Sequence, residues 1–229
     1  MTPHRSRKSF AAFGIKELIA AIVIVGVIAF LAKPTITNAL HKREMTRTMN
    51  HARELYLASF HMATDGAAKS DPNLAWPGEL PATTLAEYCG RLVQHNYLKA
   101  EDLQRILSAP GATCIVTSTA GPPASLTLTG KSALKIYKIK GGDPSTAIFA
   151  ASSNYIYNTP LNPASVPFGD KGFVVIRKRG DAGVYGRNQA TLADWGNNAG
   201  EFQSKIGRLV GAEGAVGAGD GDAILIGPQ

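Results

Sequence analysis

One acid, Glu17, stands beside Lys16 near the front of an otherwise oily run, AAFGIKELIAAIVIVGVIAFLAKP, from Ala11 to Pro34. A carboxylate in such surroundings calls for a positive partner, because an uncompensated charge in an apolar medium costs a few kcal/mol or more. Asp220 and Asp222, in the tail GAEGAVGAGDGDAILIGPQ, offer oxygens that suit a hard cation such as calcium, although the twelve-residue EF-hand pattern is absent. The histidines His4, His41, His51, His61 and His95 form no HExxH pair. There is no GxSxG elbow, and no serine has an evident base. The tail glycines follow no strand of a βαβ unit, so they do not make a phosphate-cradling loop. Nothing in these residues argues for catalysis; the chemistry they hold is charge pairing.

The elements that must position these groups begin with a helix. Leu18 to Ala32 is an unbroken apolar stretch of about 15 residues, short of the roughly 20 that a bilayer core requires. Extended from Phe13 to Lys33 it reaches about 21 residues and roughly 30 Å, long enough to span. The basic leader His4, Arg5, Arg7 and Lys8 favours a cytoplasmic N-terminus. Beyond Pro34, which bends a helix without necessarily ending it, Ile36, Leu40, Met45, Met49, Ala52, Tyr56, Phe60 and Ala63 recur mostly at threes and fours. Asp65-Gly66 is the expected stop. The pattern predicts one helix of about 50 residues, apolar all round in its first half and amphipathic in its second. A signal peptide would open into a small-residue cut site instead of continuing as helix.

The remainder is ample for one core. With 45% apolar and only 18% charged residues, 24 glycines and 13 prolines, it reads as a turn-rich domain of short strands. DPNLAWPGELP is a connection. Thr83 or Thr84 opens a helix to about Asn96, and LKAEDLQRILSAPG supplies a second. TCIVTS, ALKIYKIK, STAIFAAS, GFVVIRKR and GVYGR read as strands. The fold class expected is α+β: a long N-terminal helix packed on a small antiparallel sheet.

Ala12, Phe13, Glu17, Gly26 and Pro34 together resemble the N-terminus of the type IV pilin superfamily, which includes the pseudopilins of type II secretion. The resemblance implies a leader cut between Ala12 and Phe13, methylation of the new amine, and Glu17 as the fifth mature residue. A cut after Gly14 would leave Glu17 third and fit fewer positions. It also implies that Glu17 pairs with the α-amino group of a neighbouring Phe13, which sets register more than it adds stability. The domains expected are a leader (1–12), a membrane-spanning half-helix (13–33), an amphipathic half-helix (34–66) and a periplasmic headpiece (67–229). The implied partners are further pilin-like subunits, a prepilin peptidase, the inner-membrane assembly machinery and membrane lipid. The implied location is the inner membrane, crossed once, and then a filament. In that oxidising compartment Cys89 and Cys114 suit a disulfide, the alternative being two buried thiols. Calcium in the Asp220–Asp222 region is known among major pseudopilins and otherwise no cofactor is expected.

The second reading is a binding module on a plain membrane anchor, with Lys131, Lys135, Lys138, Lys140 and Arg177 to Arg179 meeting DNA or another anion. The net charge of +7 weakens as support, since Arg5, Arg7 and Lys8 belong to the leader; only about +4 remains without them. Nucleic acid is therefore not an expected partner.

Overall fold

The computed structural model describes residues 14–119, 125–211 and 216–228, apart from the side chains of residues 28, 29, 31, 32 and 34–36. The chain divides into two units, Met1–Leu40 and His41–Gln229. Helix α1, Ile15–Lys69, contributes its first part to one and the rest to the other.

The first unit corrects the membrane-spanning half-helix expected for 13–33. Among the described residues, no helix is long and apolar enough to cross a membrane. Between Glu17 and Lys33 the uncharged run is 15 residues, against the roughly 20 of a bilayer core.

In the second unit, α1 turns Met45, Thr48, Ala52, Leu55, Tyr56, Ser59, Met62 and Ala63 inward. Full burial of a side chain such as Leu55 or Met62 contributes about 1.5–3 kcal/mol. Phe60, expected on this stripe, is exposed because Leu55, Ser59 and Met62 take the inner face. The helix does not stop at Gly66 but runs on to Lys69. Gly66 instead admits the returning chain: a Cβ there would meet the Leu74 carbonyl oxygen at 1.5 Å, so that chain touches the helix backbone itself. The amphipathic segment expected over 34–66 thus ends slightly early, since the glycine serves close approach and not a cap.

Helix α2, Leu85–Gln94, starts as its sequence dictates. The Thr84 hydroxyl accepts from the Glu87 N–H while the Glu87 carboxylate accepts from the Thr84 N–H, a capping box. Leu85, Tyr88, Cys89 and Leu92 form its buried face. Helix α3, Ala100–Ile106, is tied to α1 by Arg105, whose guanidinium holds Glu54 at 2.6 Å.

The strands form two antiparallel sheets where a single one was expected. A two-stranded ribbon joins β1, Cys114–Thr119, to β2, Ser125–Gly130. The second sheet runs in the order β3 (Leu134–Ile136), β4 (Ile148–Ser152), β5 (Phe173–Arg177) and β6 (Ala182–Tyr185). Strands β3, β4 and β5 are buried along their whole length. Tyr56 of α1 meets Phe149 of β4 edge-on with centroids 5.5 Å apart, and Tyr155 stacks on Phe173 of β5 at 4.0 Å. A fourth helix, α4, Ala199–Lys205, buries Phe202 against Tyr157. The C-terminal tail then returns alongside β3, with Leu225 buried. The Leu225 N–H donates to the Ile136 carbonyl on one side, while Ile226 exchanges backbone bonds with Thr83 and Leu85 on the other.

Candidate functional site

The expected assembly residues fall in the first unit. Ala12 and Phe13 lie outside the described residues. Glu17 sits in the first turn of α1, where the helix dipole favours a negative charge, and one of its oxygens accepts from the Gly14 N–H at 2.9 Å. Its other oxygen has no partner among the described residues. Gly26 and Pro34 both stand within the helical run, and a Cβ on Gly26 would touch nothing within 4 Å. Among the described side chains of this helix, large apolar ones are bare: Ile15 is 79% exposed, Phe30 75%, Val25 65% and Ile22 63%. A helix that is apolar on every side is normally buried. Here a polar backbone is satisfied and an apolar surface is left for association.

Asp220 and Asp222 have separate fates. Asp222 is exposed in a short turn, Gly221–Ala223. Asp220 is buried. One oxygen meets the Lys135 ammonium, while the other accepts from the Tyr137 hydroxyl at 2.6 Å and the Tyr157 N–H at 3.2 Å. Lys135 also donates to the Tyr155 carbonyl. This takes up the carboxylate that a calcium site would need, and the two aspartates do not act together. Burial lowers the Lys135 pKa, with Asp220 opposing that shift, and burial pushes the Tyr137 hydroxyl well above its ordinary value, with Asp220 adding to it. The arrangement anchors the tail; among the described residues no group of three or more His, Cys, Asp or Glu side chains could hold a metal ion.

Sequence reasoning missed this cluster. Lys135 alternates with Leu134 and Ile136 in ALKIYKIK as if it faced solvent, and its partner lies 85 positions away. The hint was a charged residue inside a strand with no turn nearby, which is not enough to find its counter-ion.

Cys89 and Cys114 are both free and fully buried, in contrast to the expected disulfide. Burial raises both thiols. Cys114 adds to the shift at Cys89, and is itself pushed up to about 11. Such thiols behave as small hydrophobes.

The basic residues of the second reading are largely spent inside the fold. Lys135 pairs with Asp220. Arg177 donates to the Ser204 and Lys205 carbonyls and to Asp181. Lys178 donates to the Gly141 and Asp143 carbonyls, and Arg179 holds Asp181 at 2.7 Å. What remains on the surface is Lys131, Lys140 and Arg179, the last paired with Asp181, with Lys138 and Lys178 half-buried. That is too little for a phosphate-tracking face.

Set against known protein families, characterised proteins and solved structures, the chain matches none.

Proposed function

We propose that the chain is a pilin-like structural subunit, cut between Ala12 and Phe13, methylated on the new amine, and assembled through its N-terminal helix into a pilus or secretion pseudopilus. One observation carries this reading. Among the described side chains of the helix, Ile15, Leu18, Ile19, Ile22, Val25, Phe30 and Leu40 are bared, and packing against other helices would bury them. Glu17, with one oxygen unused among the described residues, is the group that a neighbouring Phe13 amine would neutralise. Burying that pair in a helical bundle would fix the stagger between subunits. Chemistry is done to this protein; it performs none.

The test is co-expression with and without a prepilin peptidase, followed by mass measurement of the intact chain. Loss of residues 1–12 with gain of one methyl group is the expected product. An unchanged N-terminus in the presence of an active peptidase would overturn the assignment.

A further inference from the structure

We infer that β2 is an open edge through which two copies of this chain join, strand to strand, about a two-fold axis at Thr127. This goes beyond the filament reading and does not depend on it.

The hydrogen bonds of the ribbon show which groups point outward. In an antiparallel pair, residues alternate between bonding the partner strand and facing away from it. The Cys114 N–H and carbonyl both bond the Ser108 hydroxyl, and the Val116 N–H donates to Gln104 Oε1. Cys114 and Val116 therefore face away from β2. By register, so do their opposites Gly130 and Leu128, and so does Leu126, opposite Ser118. On the outer edge of β1, two side chains thus take up Cys114 and the Val116 N–H. On the outer edge of β2, the N–H and carbonyl groups of Leu126 and Leu128 have no hydrogen-bond partner among the described residues.

Unpaired edges recruit other strands, and natural proteins usually defend them with charge, proline or a bulge. The edges of the other sheet are managed: the tail covers β3 through Leu225, and Arg179, Asp181 and Arg187 flank β6. Neither CIVTST nor SLTLTG contains a charged residue or a proline, and their register is unbroken. Leu126 and Leu128 turn toward α2, which leaves Thr127 and Thr129 outside.

The occupant that fits is a second copy. The chain stays net positive, by about +4, even without Arg5, Arg7 and Lys8, so two copies repel wherever their basic surfaces meet, and this ribbon is an uncharged place to approach. The open groups are also self-complementary. With the axis at Thr127, Leu126 exchanges backbone bonds with the partner's Leu128 and Leu128 with the partner's Leu126. Thr127 then lies opposite the partner's Thr127, with Cβ atoms about 4.5–5.5 Å apart. The product is one four-stranded sheet in the order β1-β2-β2-β1.

The full chain in non-ionic detergent tests this directly. Thr127→Cys should give a covalent dimer on mild oxidation that reductant reverses. Thr117→Cys, across the ribbon from Thr127 but away from the open edge, should not. Thr127→Lys places like charges opposite each other and should weaken dimerisation about tenfold or more. A Thr127→Cys thiol that maleimide labels, yet that cross-links no better than the Thr117→Cys thiol, overturns the proposal. Should the variants fold poorly, amide exchange on the unaltered chain decides. Leu126 and Leu128 must exchange more slowly as protein concentration rises, and exchange independent of concentration overturns the inference. Dimer cross-links that form equally in Glu17→Gln separate this edge from any contact made through the helix, whether or not filaments form.

Discussion

Removing the Asp220 carboxylate is the sharpest test of how the core is held. Asp220→Ala leaves the Lys135 ammonium buried, with only 11% of its side chain exposed, and without its counter-ion. It also strips the Tyr137 hydroxyl and the Tyr157 N–H of their acceptor. Breaking a buried ion pair from one side costs about 3–5 kcal/mol, a large share of a domain's total of about 5–15 kcal/mol. Deprotonation of Lys135, already favoured by burial, softens the loss but cannot restore the tail's anchor. Urea unfolding of the full chain, followed by Trp76 and Trp195 fluorescence, reads the effect. At a slope of about 2 kcal/mol per molar, the midpoint should fall by about 2 M. Lys135→Met with Asp220→Leu should recover most of the loss, since a well-packed apolar pair often replaces a buried ion pair at little cost. A loss below about 1 kcal/mol in Asp220→Ala, or single and double variants that simply add, would refute the pairing as an energetic unit.

Further expectations follow from the same structure. His51 is buried, its Nδ1 lacks a partner among the described residues, and its pKa is held below 6.5 by burial and by Arg105, Glu54 opposing, with Arg47 lowering and Glu44 raising it further. The unfolded chain therefore takes up a proton at higher pH than the folded one, so stability falls as pH drops through 6.5, by at most about 1.4 kcal/mol per pH unit. Denaturation of His51→Gln should lack that part of the slope, and an unchanged slope would count against it. Cys89 and Cys114, buried and raised, should ignore a thiol reagent at pH 8 and yield both thiols once unfolded; rapid native labelling is the contrary result, and absence of thiols after unfolding would restore the disulfide. Gly66→Ala drives a methyl into the Leu74 carbonyl and should cost at least about 3 kcal/mol, whereas Gly26→Ala meets nothing and should raise helix content at a gain of about 1 kcal/mol. Thermal melts followed by circular dichroism distinguish the two, and equal effects would contradict the packing described.

How much of this was legible beforehand varies with the range of the interactions. The capping box at Thr84 and Glu87, helices α2 and α3 and five of the six described strands rest on neighbours within a few positions, and local pattern displays them. The missed strand, β2, carried a signal too: Leu126 and Leu128 alternate with threonine in SLTLTG, the period of a half-buried strand. The Gly66 stop failed because glycine serves either a left-handed cap or a close backbone contact, and only the position of Leu74 decides which.

Alone, the sequence determined the long helix, its change from apolar to amphipathic character, and the acid at its front, since each is a matter of residue type and spacing along one axis. Tertiary structure decided that Lys135 points inward to Asp220, that Cys89 and Cys114 lie as free thiols in one core, and that one strand edge takes bonds from Ser108 and Gln104 while the other takes none among the described residues. Those outcomes depend on groups brought together from distant parts of the chain, where packing and burial, not local propensity, set the energy.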